Sequence, residues 1–255
     1  MIDTIIEGDC LKVMKEFPDN HFDMIFTDPP YGHNNNNGDL ISRWEAALGC
    51  GDYVPERDNR PIANDGKEAN QLFNDFLIEA KRVLKPGAAI CCCCGGGGGP
   101  DPMFARWSLS MDELFDFKQM VIWDKGPMGM GWHYRRSYET VLVATKKGGK
   151  QYWFDKSMKV ENIIRPKKVK KIIPTADQHP TQKPVELVEL FIEYHTQPGM
   201  LVLDPFLGSG TSAVACRRIG RHYTGIELSP EYCEIARKRI AAVPARLDRW
   251  VGVEA

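Results

Sequence analysis

Apolar residues recur along this 255-residue chain in two alternating patterns: short continuous runs, and sets spaced three or four residues apart. The runs Ile2 to Ile6, Asp23 to Thr27, Ala88 to Cys94, Met120 to Asp124, Tyr138 to Thr145, Met200 to Asp204 and His222 to Glu227 read as strands. Between them the period is helical. Leu72, Phe73, Phe76, Leu77, Ala80, Val83 and Leu84 place a helix over Lys67 to Leu84, which Lys85-Pro86-Gly87 stops. Further helices are predicted over Cys10 to Phe17, Val185 to His195, Thr211 to Ile219 and Pro230 to Val243. Alternation of this kind predicts an α/β fold, a mostly parallel central sheet with helices on both faces.

Three segments break the alternation. Residues 32–66 are polar and rich in Asn, Gly, Asp and Pro; a loop this long is expected to be functional or mobile, with a disordered surface insertion as the plainer reading. Gly95 to Gly99 precede Pro100-Asp101-Pro102 with no Lys-Ser/Thr after them, so they are read as a loop at a strand's carboxyl end and not as a phosphate loop. Between Lys146 and Pro174 the residues Lys146, Lys147, Lys150, Lys156, Lys159, Arg165, Lys167, Lys168, Lys170 and Lys171 face only Asp155 and Glu161 as acidic company. Tyr152, Trp153 and Phe154 lie among them.

The formal net charge is -1, so attraction to a polyanion must be local, which makes that basic segment the candidate nucleic-acid surface. A solvated lysine-rich loop is the plainer reading. Four of the eight cysteines, Cys91 to Cys94, are consecutive. Neighbours on a strand point to opposite faces, so the run cannot converge on one metal, and reduced thiols in the core are expected. The first residues carry acids where a signal peptide needs a basic start, and no run reaches membrane-spanning length, so a cytoplasmic protein is expected.

Two motifs carry chemistry. Asp28-Pro29-Pro30-Tyr31 closes an apolar strand. Prolines donate no N–H and leave nearby carbonyls as free acceptors, Asp28 adds a carboxylate, and Tyr31 adds an aromatic face. The tetrapeptide therefore suits a flat molecule with an exocyclic amino group, although a plain proline turn fits it too. Further on, the strand ending at Asp204 runs into Pro205-Phe206-Leu207-Gly208-Ser209-Gly210-Thr211, which opens a helix, and the next strand ends in Glu227. Glycines at a helix start and an acid at the following strand end suit an adenosine-containing ligand. The third glycine of the pyrophosphate fingerprint and the Lys-Ser/Thr of a triphosphate site are absent.

Together with His179-Pro180-Thr181-Gln182-Lys183-Pro184, these motifs resemble the S-adenosylmethionine-dependent DNA amino-methyltransferases. Their order is that of the β group: catalytic motif, target-recognition segment, cofactor motif. Gly8-Asp9-Cys10, Leu84-Lys85-Pro86-Gly87 and Tyr138 to Ala144 followed by Lys146 add to the match, which leaves out only residues 32–66, 95–115 and 146–178.

The resemblance implies a Rossmann-like methyltransferase fold with circularly permuted motif order and a small target-recognition insertion. It divides the chain into a catalytic half (1–145), a DNA-contact segment (146–178) and a cofactor-binding half (179–255). Asp28, Pro29, Pro30 and Tyr31 become the clamp on a flipped base. For the cofactor, Asp9 with Cys10 beside it would meet the adenine amino group, and Glu227 the ribose. Asp204, Phe206, Gly208, Ser209, Gly210 and Thr211 would line the rest of that site, and Lys183 would meet the cofactor carboxylate. Arg135, Arg136, Lys146, Lys147, Lys150, Lys167, Lys168, Lys170 and Lys171 would contact DNA.

Asp at position 28 favours adenine N6 as the target, with cytosine N4 the alternative. Cytosine C5 is disfavoured because no Pro-Cys pair is present. RNA or protein-glutamine methylation is disfavoured by motif order, and a non-catalytic DNA-binding protein by the presence of Asp28 and the glycines. By analogy with this group, a homodimer is possible.

Overall fold

The computed structural model describes residues 1–32, 62–95, 102–126, 137–165 and 182–244. Eight strands form one sheet: β1 (Thr4–Glu7), β2 (Phe22–Thr27), β3 (Leu84–Gly95), β4 (Asp116–Asp124), β5 (Tyr138–Thr145), β6 (Ile163–Ile164), β7 (Leu201–Asp204) and β8 (His222–Glu227). Their spatial order is β1-β8-β7-β2-β3-β5-β4-β6, and only β5 runs against the others. The helices are α1 (Cys10–Met14), α2 (Ala69–Val83), α3 (Met103–Leu114), α4 (Val185–His195), α5 (Thr211–Ile219) and α6 (Pro230–Ala241).

Both faces are covered, as a parallel sheet requires. Residues of α1, α2 and α3 form one core with alternate strand positions, and residues of α4, α5 and α6 form the other. Every residue of β2 is buried, which is why Asp23 to Thr27 reads as a continuous apolar run. The cysteine run divides as its alternation demands: Cys92 and Cys94 enter the first core, Cys91 and Cys93 the second. The seven described cysteines are free and buried, and burial pushes the Cys94 thiol up to about 12. They act as small apolar residues. No helix among the described residues is long and apolar enough to cross a membrane.

Three elements differ from the sequence reading. Helix α3 was not expected; Trp107 and Met111 bury its inner face, and the Trp107 ring stacks on Phe73 at 3.9 Å between centroids. Strand β6 was also not expected, and its two residues pair with Ile122 and Trp123. Lys85-Pro86-Gly87 ends α2 but lies inside β3, where the register jumps from Phe22 opposite Leu84 to Met24 opposite Ala89. Gly87 is needed in this bulge. It has φ +85°, and a Cβ there would stand 2.0 Å from the Lys150 carbonyl oxygen. The long loop over 32–66 lies outside the described residues from 33 to 61, as do Gly96 to Gly99 and Asp101.

The N- and C-terminal segments share this single sheet because β7 inserts beside β2. Only Met24 opposite Val202 and Ile25 opposite Leu203 pair along that seam. Two aspartates clip its ends. At the amino end, Asp23 accepts from the Leu201 N–H at 3.0 Å and from Lys85 Nζ at 2.6 Å. At the carboxyl end, buried Asp204 accepts from Thr27 Oγ1 at 2.8 Å, from Ser212 Oγ and from the Phe206 N–H at 3.1 Å.

Burial pushes the Asp204 carboxyl from its usual 3.8 up to about 6, despite these three donors. A carboxyl raised in the folded state holds a proton that the unfolded chain has already released. Its contribution therefore weakens folding as pH rises through that window, and the loss persists at neutral pH. Relative to Asp204→Asn, the wild type should lose on the order of 2–3 kcal/mol of unfolding free energy between pH 4 and pH 7 in denaturant titrations. A difference that does not change with pH would contradict this role of Asp204.

Candidate active site

The carboxyl ends of β1, β8, β7 and β2 stand side by side, and each carries a residue of the predicted site: Asp9 just beyond β1, Glu227 and Asp204 as the last residues of β8 and β7, and Asp28 just after β2. With strands about 4.8 Å apart, the row from β1 to β2 spans roughly 14 Å. The strand order reverses between β7 and β2, because β2 continues outward to β3 while β7 continues the other way to β8. Ligands of open α/β sheets bind at such a switch point.

At one end of the row, β1 and β8 hold their acids together. The Gly8 N–H donates to the Glu227 carbonyl at 2.9 Å. Asp9 is exposed and caps α1, accepting from the Leu11 N–H at 2.9 Å and the Lys12 N–H at 3.2 Å. Cys10 is buried in the core beside it. The Glu227 carboxylate accepts from the Gly208 N–H at 2.7 Å and the Ser229 N–H at 2.8 Å, and burial pushes it above the ordinary glutamate value.

The glycine loop turns on Gly208 (φ 53°) and Gly210 (φ 84°) and opens α5. A Cβ on Gly210 would stand 2.8 Å from the Ala236 Cβ, so α6 packs directly on the loop. From α6, Arg239 Nη1 donates to the Ser209 carbonyl, to Ser209 Oγ at 2.7 Å and to Thr211 Oγ1 at 3.4 Å. Phe206 is partly buried, its ring edge-on to Phe76 at 5.5 Å. Two carboxylates beside a helix N-terminus offer acceptors for amino and hydroxyl groups and a positive backbone end, a donor and acceptor set that fits an adenosine-containing ligand.

At the other end lies the Asp28 turn. Pro29 is buried, and the Gly32 N–H donates to Asp65 at 2.8 Å. Both carboxylate oxygens of Asp28 are engaged: Oδ1 accepts from the Tyr31 hydroxyl, and Oδ2 from Lys183 Nζ at 2.6 Å. Tyr31 is half-buried, with its ring 5.2 Å from Lys183 Nζ and edge-on to Trp107 at 6.1 Å. Burial and the Asp28 charge push its hydroxyl well above the ordinary tyrosine value. Lys183 is only 6% exposed and also faces Glu139 Oε2 at 3.4 Å. Burial alone would lower its ammonium, yet the Asp28 and Glu139 carboxylates hold it well above the usual lysine value. Burial raises Glu139, and the ammoniums of Lys183 and Lys125 more than offset this, leaving it below the ordinary glutamate value.

Lys183 thus sits on Asp28, where the sequence reading gave it a cofactor carboxylate. The basic segment is divided. β5 runs against β2 and β3, so Lys146, Lys147 and Lys150 follow it at the amino ends of the parallel strands, away from Asp28. There the Lys146 ammonium donates to the Leu84 carbonyl and to Asn20 Oδ1, both at 2.7 Å. β6, parallel to β4, takes the chain back, and Arg165 pairs with Asp124 at 2.9 Å beside the carboxyl end of β4. Arg135, Arg136, Lys167, Lys168, Lys170 and Lys171 lie outside the described residues, as do His179, Pro180 and Thr181.

Sequence reasoning missed Glu139, Arg239 and Ser212. An acid at the start of the apolar strand Tyr138 to Thr145 was the available signal for Glu139. Arg239 shows none, being one of several basic residues on α6.

A family model described as DNA methylase (N6_N4_Mtase) matches residues 22–238. Type II methyltransferase M2.DpnII of Streptococcus pneumoniae is 31% identical over 258 residues, covering 93% of this chain and 89% of that protein. Among solved structures, the M1.HpyAVI-SAM complex aligns with a TM-score of 0.63 at 22% identity, over 93% of this chain and 98% of that one. PvuII DNA methyltransferase, described as cytosine-N4-specific, aligns with a TM-score of 0.69 at 18% identity, over 98% of this chain and 88% of that one. These two structures share the fold. With the family match spanning both halves of the sheet and both motifs, the chain belongs to the DNA methylase family and is a DNA amino-methyltransferase.

Proposed function

We propose that this methyltransferase modifies N6 of adenine in DNA, using S-adenosylmethionine as methyl donor and the Asp28 turn as the clamp on the target amine. The observation that carries the reading is the seam itself. Thr27, next to Asp28, is hydrogen-bonded at 2.8 Å to Asp204, which precedes the glycine loop. An amine held by Asp28 and a cofactor held by the loop are then neighbours.

When bound, the cofactor would supply a methyl group on a sulfonium: the amine lone pair would form the carbon–nitrogen bond, the carbon–sulfur pair would leave on sulfur, and the methylated amine would release one proton to solvent. The chain's own work is positioning and electrostatics. Asp9 and Glu227 hold the adenosine part, and the loop from Phe206 to Thr211 lines the remainder. An aromatic amine is a poor nucleophile because its lone pair is delocalised into the ring. Asp28 and the Pro29 carbonyl accept its two N–H bonds and favour the pyramidal amine whose lone pair faces the methyl group. The base must leave the duplex to reach this turn, and Tyr31 provides its aromatic contact. Arg135, Arg136, Lys167, Lys168, Lys170 and Lys171, with Arg165 before them, are assigned to the DNA backbone.

Asp at position 28 supports adenine. Cytosine N4 is the second reading, favoured by the fold shared with PvuII DNA methyltransferase. Digestion of methylated DNA to nucleosides, followed by mass spectrometry, should yield N6-methyladenine; finding only N4-methylcytosine would reverse the choice. Asp28→Ala should slow transfer on the order of a thousandfold while S-adenosylmethionine still binds within about threefold of wild type. Equal loss of transfer and cofactor affinity would place Asp28 in the cofactor site instead.

A further inference from the structure

Asp28 has no unoccupied carboxylate oxygen, since Tyr31 holds Oδ1 and Lys183 holds Oδ2. A target amine that binds there must share an oxygen with one of them or displace it, and sharing leaves a buried ammonium beside the incoming donor. Close by is a carboxylate held more loosely. Glu139 Oε2 is buried, and among the described residues its contact is the longer ion pair to the Lys183 ammonium, at 3.4 Å against 2.6 Å for Asp28. Its other oxygen is held by Lys125 at 2.6 Å. A buried acceptor at the long end of an ion pair gains by a closer approach, so Glu139 has the character of a second seat for this ammonium.

We propose that Lys183 is a counter-ion with two seats, resting on Asp28 in the free enzyme and moving onto Glu139 when the target amine takes Asp28. The inference rests on the reading of Asp28 as the amine acceptor. The move is short, and the geometry favours it in three ways. The Tyr31 ring lies 5.2 Å from Nζ and offers the ammonium an aromatic face alongside. The positive charge stays paired and buried, because Glu139 is already within reach. The shift also draws a cation away from Asp28, where a sulfonium methyl donor must approach, and so relieves like-charge repulsion. The groups facing Lys183 are Asp28 and Tyr31 from the turn after β2, Cys93 from β3 and Glu139 from β5. Lys183 and Glu139 are on this account positioning residues: neither needs to touch the reacting nitrogen.

The test follows the ammonium itself. In full-length protein labelled with 15N-lysine, the Lys183 signal is assigned by its loss in Lys183→Met. It should shift when target duplex and a cofactor analogue lacking a transferable methyl are added together. The shift should be absent in Glu139→Gln, whose single-turnover transfer should fall by about tenfold while affinities for cofactor and DNA stay within about threefold. An unmoved Lys183 signal in the wild-type ternary complex overturns the proposal even if Glu139→Gln fails to fold. So does wild-type transfer by a folded Glu139→Gln variant, provided Asp28→Asn is impaired. Full activity of Asp28→Asn would instead remove the reading on which the two seats depend.

Discussion

The proposed site depends on the narrow seam between β2 and β7. Two residue pairs of backbone register join the strands, and the remaining cohesion comes from side chains that cross the seam. Asp23 ties β2 to the start of β7, and Asp204 ties the end of β7 back to Thr27. A buried carboxylate with several donors is an expensive way to fasten two strands, and Asp204 responds by holding its proton more tightly than an ordinary aspartate. The position explains the expense. A seam where strand order reverses opens a crevice above it, and both ends of the crevice carry the residues proposed here for cofactor and target.

The same crevice concentrates negative charge. Asp9, Glu227, Asp204 and Asp28 lie at neighbouring strand ends, and Glu139 stands two strands beyond β2. Each is managed differently. Asp9 caps a helix, Glu227 takes two backbone N–H groups, and Asp204 takes two hydroxyls and one N–H. Asp28 and Glu139 instead share one buried ammonium. Backbone and hydroxyl partners fix a carboxylate in place, whereas an ammonium on a flexible stem can be exchanged. The carboxylates assigned to the cofactor are thus rigidly held, while the one assigned to the target is held by a partner able to leave.

Much of this was legible in the sequence because buried strands and amphipathic helices leave strong periodic traces. Tyr138 to Thr145, Val185 to His195, Thr211 to Ile219 and His222 to Glu227 form elements with those same bounds. Helix α3 escaped because its inner residues, Trp107 and Met111, follow a glycine-proline run that reads as loop, and β6 is too short to have a period. The larger difference concerns direction. Apolar pattern does not encode which way a strand runs, so the reversal of β5 was invisible, and with it the placement of Lys146 to Lys150 at the far end of the sheet. The pairing of Lys183 with Asp28 was equally hidden, because the two are 155 residues apart and meet only through the sheet order.

Cofactor and target are proposed to meet over the β2–β7 seam, with Asp28 on the amine. A crystal structure of the enzyme with its target duplex and a non-transferable cofactor analogue would show whether they do. The adenine amino nitrogen should lie about 3 Å from both the Asp28 carboxylate and the Pro29 carbonyl, with the cofactor adenosine between Asp9 and Glu227. A target amine bound away from Asp28, or a cofactor lying off the carboxyl ends of β1, β8 and β7, would contradict it.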